Sequence, residues 1–311
     1  MHTPSATLAS DARSARRAAR MARMRLLRLS PTIPAVVLLG VFLGGPIVWA
    51  LVGSLTDAAL SGPRARNVSF VGLDNYLTLF TSASFPAALV LTLVFVVASA
   101  IVGQTVCGLV LALLLRSGSR VVGAVVSTIV VTAWVLPEIV AAFACYAFFN
   151  DQGTLNQVIG AVGLTGENWL YVFPMVAVCL ANTWRGTAFS MMTYQAALGE
   201  IPSDVKEAAA IDGAGRLRTV FSITLPMIRR SISSTLMLVT LQTLSVFTLI
   251  WVMTSGGPSS RSTTLPILAY QEAFQAGAIG YGTAIAVVML LVGGVFAVVY
   301  VRALRDEEQT R

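Results

Sequence analysis

Residues 202–226 read PSDVKEAAAIDGAGRLRTVFSITLP and lie between two long apolar runs in a chain that carries little charge. Pro202 closes the segment before it, and Ser203 is the expected N-cap of a helix beginning at Asp204. An acid in the first turn, Asp204, suits the positive end of the helix dipole. Gly213, directly after Ile211 and Asp212, is the natural residue to end such a helix in the left-handed region. The spacing predicts a helix of about nine residues, roughly 14 Å long at about 1.5 Å per residue. Glu207 stands there on a surface of methyl groups from Ala208, Ala209 and Ala210, and slim alanines let another surface approach the backbone. Arg216, Arg218 and Phe221 fall in a second short turn, which Pro226 is expected to end. A capped loop helix resting on a membrane surface accounts for the same residues, so the surroundings must decide.

Those surroundings are a membrane protein. Of 311 residues, 56% are apolar and 11% charged, with a mean hydropathy of +0.79. A soluble domain carries about 25% charged residues, so this chain has too few to cover a water-soluble globule. Cys107, Cys145 and Cys179 all lie in apolar segments without metal-ligand spacing and read as small buried hydrophobes. The only histidine is His2, so no histidine-based catalysis or zinc site can be assembled, and no catalytic or metal-binding residue is assigned.

Runs of about 20 apolar residues cross a bilayer as helices. The first candidate is 33–55, interrupted by Gly44, Gly45 and Pro46. The others are about 86–115, 121–148 (containing Pro137 and Glu138), 171–192, 231–254 and 281–301. Residues 116–120, RSGSR, form a turn, and 149–170 a loop. The expected fold is therefore all-α: a polytopic protein of six transmembrane helices over 33–301, with a basic tail 1–32, a short tail 302–311, and the opening helix in a loop, 193–230, between spans four and five. No repeat of 20–50 residues is visible.

Six spans put both termini on one side. Lys and Arg number seventeen in the tails and loops of that side, including seven arginines between Arg13 and Arg28, against Arg64, Arg66 and Arg261 opposite. The positive-inside rule then makes the termini and residues 202–226 cytoplasmic. The arginine-rich tail also fits an organellar transit peptide, or a basic helix on anionic lipid with positions 13, 16, 17 and 20 on one face. A cytoplasmic anchor is preferred, because a full-length span follows it.

Here the sequence resembles a known family. The stretch LGEIPSDVKEAAAIDGAGRLRTVFSITLP, 198–226, looks like the EAA loop of ABC importer permeases, and within them like the carbohydrate-uptake branch that serves maltose, glycerol phosphate and related solutes. FVGLDNY (70–76), GTLN (153–156), NTWRGTAF (182–189) and SGGP with TT (255–264) extend the resemblance over about 33–301. FVGLDNY before the second span resembles the first permease of the usual heterodimeric pair. Arg230 departs from the pattern, since a proline is common there.

The resemblance implies a bacterial-type cell-membrane protein that works with a second permease, two copies of an ABC ATPase and an extracytoplasmic solute-binding protein. It implies that the helix docks in a cleft of the ATPase: Glu207 meets a basic residue, Ala208 and Ala209 fill the cleft, Gly213 permits the turn out of it, and Asp212 is a further coupling residue. It also implies alternating access by rigid-body gating. ATP and magnesium belong to the partner, since no G-x-x-x-x-G-K-[ST] loop occurs in this chain. The expected ligands are a sugar-like solute and membrane lipid, with no nucleic acid.

Within the spans, Glu138 is the one acid well inside, and burying it costs about 2.5–3.5 kcal/mol on insertion scales, so it should face the bundle interior or water. It is read as a pathway residue or as a carboxylate satisfied by neighbouring helices. Gln104, Tyr146, Asn182 and Gln242 are candidates for hydrogen bonds to sugar hydroxyls, and Trp134 and Trp251 for stacking on a sugar ring. Trp184 and Arg185 are read as structural or gating residues, with Arg185 snorkelling towards the cytoplasm. Two other functions compete. An ion-coupled secondary transporter acting alone would need midplane ionisable residues and inverted repeats. A membrane scaffold would move nothing, and the polar-dotted, interrupted spans fit a gated path better.

Overall fold

The computed structural model describes residues 32–309, so the arginine-rich tail and its three readings lie outside the described residues. Among the described residues all regular structure is helical, apart from one antiparallel bridge, Thr56 with Phe70. The described residues divide into two compact units, 32–53 and 54–309. The first contains α1, Ile33–Gly53, which is apolar along its length. Its Gly40–Gly44 turn is a π-helix, in which Gly45 N–H reaches back five residues to Gly40. The wider turn directly precedes Pro46, whose ring has no N–H to donate and crowds the preceding turn.

The second unit begins with an ordered loop. Asn75 Nδ2 donates to the carbonyls of Ser54 and Thr56, each at 2.8 Å, and the Tyr76 and Ser54 hydroxyls are 2.7 Å apart. The polar residues of FVGLDNY thus tie the loop to α2, Asp74–Thr81. Then follow α3, Ser84–Arg116, with a π segment at Val96–Gln104; α4, Arg120–Val135; α5, Glu138–Phe149; and α6, Thr154–Ala161. The rest is α7, Pro174–Gly199; α8, Ser203–Ile211; α9, Arg216–Leu244; α10, Thr248–Thr254; α11, Leu265–Tyr270; and α12, Ile279–Arg305.

Three of these helices, α1, α3 and α12, are long and apolar enough to cross a membrane, and up to five spans result if each bent pair counts as one. The expected third span is not straight. Arg120–Val135 and Glu138–Ala161 meet at 110°, because Pro137 forces Leu136 and itself into extended backbone. The expected fifth span starts earlier, at Arg216, and bends by 49° between Leu244 and Thr248. The predicted 149–170 loop contains α6 and a single helical turn, Trp169–Val172.

The expected fourth span is α7, which starts at Pro174 and runs to Gly199, beyond the predicted end at 192. It is less apolar than α1, α3 and α12 because it carries Asn182, Thr183, Arg185, Thr187 and Ser190. It has no need of apolar character all round, since α3, α4, α9 and α10 pack against it. Phe95, Ala177, Val178, Ala181, Leu249 and Ile250 form the core where α3, α7 and α10 meet. Tyr194, Leu198, Ile201 and Ile228 form a second cluster at the foot of α7 and α9, where α8 is attached.

Candidate functional site

The helix anticipated between two long helices is present as α8. It begins one residue earlier than expected: Pro202 is the extended N-cap residue and Ser203 is already helical. Ser203 therefore does not cap, and its hydroxyl donates to Asp204 Oδ1 at 3.2 Å instead. At the other end Gly213 has φ +73°. Its N–H donates to Ala210 O at 3.1 Å and the Ala214 N–H to Ala209 O at 2.9 Å, the paired bonds of a left-handed helix stop. Val205 packs on the cluster at the foot of α7, and Ala209, one turn further, is 5% exposed. Glu207, Ala208 and Asp212 are on the exposed side, joined by Ile211, which is 86% exposed. The same region exposes Leu217 and Phe221. Pro226 does not end a separate turn, because Arg216–Leu244 continues through it. A π segment, Val220–Thr224, lets the Leu225 N–H reach Val220 just before the proline, as in α1.

A second group of residues lies inside the helix packing. Asn182 Nδ2 donates to Ser99 Oγ at 2.8 Å and to Thr243 Oγ1 at 3.3 Å, while Gln104 Nε2 donates to the Asn182 carbonyl at 3.2 Å. Gln104 and Asn182 are buried, so the structure joins these two sequence candidates in a network linking α3, α7 and α9. Close approach makes it possible. A Cβ at Gly186 would sit 2.2 Å from Gln104 Cδ. Ser99 and Thr243 were not anticipated, because small hydroxyl residues are common in spans and nothing local marks them.

Glu138, at the first position of α5, accepts a hydrogen bond from the Leu249 backbone N–H at 3.2 Å. Leu249 lies in the first turn of α10 and is 1% exposed, so one carboxylate serves the N-termini of both helices that follow a break. Trp134 lies 6.1 Å from Phe189 of α7. Tyr146 is 41% exposed, and Gln242 is on the exposed side of α9. Trp251 stacks on Phe247 at 5.8 Å and meets Tyr270 edge-on at 4.8 Å, so its ring is engaged within the chain. Arg185 is half-buried and its Nε has no hydrogen-bond partner among the described residues. Among those residues no group of three or more His, Cys, Asp or Glu could hold a metal ion.

Comparison with known proteins places this architecture. Residues 104–306 match the family described as the binding-protein-dependent transport system inner membrane component. The chain is 31% identical over 279 residues to the sulfoquinovosyl glycerol transport system permease protein of Agrobacterium fabrum, covering 88% of this chain and 89% of that protein. It is also 31% identical over 276 residues to the trehalose/maltose transport system permease protein of Thermococcus litoralis, with 88% and 92% covered. In fold it is similar to a chain of a bacterial ABC transporter involved in the import of the acidic polysaccharide alginate, with a TM-score of 0.78 at 22% identity, covering 93% of this chain and 99% of that one. The family match takes in α4 to α12 with the α8 helix among them, and the relatives match nearly end to end: this chain belongs to the family of binding-protein-dependent transport system inner membrane components.

Proposed function

We propose that this chain is one of two permease subunits of an ATP-driven importer for a sugar or sugar-like solute, and that α8 couples it to the ATPase. The observation that carries the reading is the outer face of α8, where Glu207 and Ala208 stand beside the fully projecting Ile211 on a helix closed by Gly213. A slim face with the acids Glu207 and Asp212 and an exposed large apolar residue suits a groove on another protein. In this reading Glu207 makes a charge-assisted contact to a basic residue of the ATPase, and Ala208 lies in the groove. Asp212 and Gly213 turn the chain out, and Ala209 seats the helix on its own bundle. The solutes for which the relatives are named, sulfoquinovosyl glycerol and trehalose or maltose, support a carbohydrate. FVGLDNY, held by Asn75 and Tyr76 ahead of α3, supports assignment as the first permease of the pair.

The reading takes residues 33–301 as six spans in the cell membrane. The two bent pairs each count as one, and α7 is the sixth, its polarity met within the bundle. The tails 1–32 and 302–311 and the loop 193–230 are then cytoplasmic. The chain binds no cofactor; ATP and magnesium are held by two copies of the ATPase subunit, and a solute-binding protein delivers the sugar outside. ATPase closure moves α8 and, through it, α7 and α9. Glu138, Trp134, Tyr146 and Gln242 line or flank the path, and Gln104 and Asn182 shape it from behind.

Gentle-detergent purification of the tagged chain from its native membrane tests this. Recovery of an ATPase, a second permease and a solute-binding protein is the expected result. Repeated recovery of the chain alone would refute the importer and favour an ion-coupled carrier.

A further inference from the structure

A cleft of about 420 Å³ opens where the end of α5, the Trp169–Val172 turn and the end of α10 come together. This volume is within the range of small-molecule sites. Tyr146, Asp151, Asn168, Tyr171, Thr254 and Ser255 line it. It is separate from the buried network of Gln104 and Asn182. No lysine or arginine is among its lining residues, and Asp151 is its one ionisable carboxylate.

Its rim is held in place by a layer of hydrogen bonds behind it. Asn156 Nδ2 donates to the Asp151 carbonyl at 2.9 Å and to the Glu167 carbonyl at 2.8 Å. Asn156 Oδ1 accepts from the Glu167 N–H at 3.2 Å and from Trp169 Nε1 at 2.9 Å. Asn168 Nδ2 donates to Asp151 Oδ2 at 3.0 Å, while its Oδ1 accepts from the Tyr171 N–H at 3.1 Å. The opposite wall is fixed by Ser255, which is in the left-handed region at φ 51° and whose carbonyl accepts from Gln271 Nε2 at 3.3 Å. Supporting bonds of this kind preorganise a site.

Two exposed tyrosines, Tyr146 at 41% and Tyr171 at 63%, supply ring faces and phenol hydroxyls. Asp151 Oδ1 and the second amide hydrogen of Asn168 supply an acceptor and a donor. Ring faces for C–H surfaces, beside planar acceptors and donors for vicinal hydroxyls, make up the chemistry that recognises a saccharide. The uncompensated carboxylate repels an anionic one.

We propose that this cleft is a binding site for a neutral saccharide at the extracytoplasmic rim of the chain, where the solute is held before it enters the spans. The inference rests on the importer reading for its side of the membrane and its role. A protein-docking rim is the other use of such a surface, but polar and planar side chains make up most of the cleft's lining.

The test is saturation-transfer NMR on the full-length chain in lipid nanodiscs, with maltose and trehalose as neutral probes and digalacturonate as the anionic one. Transfer to a neutral disaccharide is expected. It should be weakened roughly three- to tenfold by Tyr171→Ala, the scale of one lost aromatic face, and kept by Tyr171→Trp. Digalacturonate should show no transfer until Asp151→Lys reverses the preference, which also serves if Tyr171→Ala does not fold. Absence of transfer to either neutral sugar, equal transfer to digalacturonate, or indifference to both Tyr171→Ala and Asp151→Lys would overturn the inference. So would protection of Tyr171→Cys from maleimide by the solute-binding protein without sugar binding. Intact ATP-driven uptake of a saccharide alongside any of these failures would leave the importer reading standing. Absence of any saccharide uptake by the assembled transporter would remove that reading instead.

Discussion

Replacing Glu138 separates a residue that holds two broken helices from one that touches solute. Its carboxylate accepts from Leu249 N–H at 3.2 Å, and Leu249 is 1% exposed. In Glu138→Ala that backbone N–H has no acceptor, and a buried unsatisfied amide costs about 1–3 kcal/mol. Glu138→Gln keeps a side-chain carbonyl of the same reach and loses only the charge assistance, an expected loss of about 1 kcal/mol or less. Taking the middle of each range, the two variants should differ in stability by about 1–2 kcal/mol, with glutamine the milder. Unfolding by SDS titration in mixed micelles measures the difference directly. If Glu138→Ala is as stable as wild type, or Glu138→Gln is as damaging as alanine, the hydrogen bond does not join α5 to α10 in the membrane. A changed solute preference in Glu138→Gln at unchanged stability would instead assign Glu138 to the pathway surface.

Three further outcomes follow from the packing. A Cβ at Gly108 would sit 2.5 Å from Ser190 Cβ and 2.9 Å from Met191 N, so Gly108→Ala must push α3 from α7 and should cost about 1–3 kcal/mol in the same titration. Gly123→Ala, whose nearest such atom is 3.9 Å away, is the control expected to be near neutral. Asn182→Leu removes the links to Ser99 and Thr243; at the roughly 0.6 kcal/mol typical of interhelical bonds in membranes, the loss should be about 1 kcal/mol, and an unchanged midpoint would show that the network adds nothing. At Gly213, φ +73° strains a β-branched residue by about 1–2 kcal/mol but is tolerated by asparagine. Gly213→Val should accordingly impair ATP-driven uptake, and Gly213→Asn should largely keep it.

Much of this architecture is written locally. The apolar runs of α1, α3 and α12 announce themselves by length and hydropathy, and Gly213 marks the end of α8 because few other residues occupy its conformation readily. Other features depend on partners far along the chain. Pro137 signals a break, but its 110° angle is not legible from the residues around it. The run at 171–192 marks α7 in outline, but its extension to Gly199 and the accommodation of Asn182 and Thr187 are explained only by the surrounding helices. Glu138 and Leu249 are 111 residues apart, and no spacing rule joins them. The N-terminus of α8 shifted by one residue because Pro202, already extended, left Ser203 free to enter the first turn. Asn156, a residue of the quoted GTLN, proved to be the hub of the cleft rim, a role visible only once Asp151, Glu167 and Trp169 are seen around it.

The central claim is that α8 transmits ATP hydrolysis to the membrane helices through its exposed face. The most direct measurement compares solute uptake and ATP hydrolysis in proteoliposomes of the assembled transporter, wild type against the double variant Glu207→Ala with Gly213→Val. Both residues lie outside the buried helix packing, so the variant is expected to insert and assemble while uptake driven by ATP is lost. Normal ATP-driven uptake by a stably assembled double variant would contradict the account.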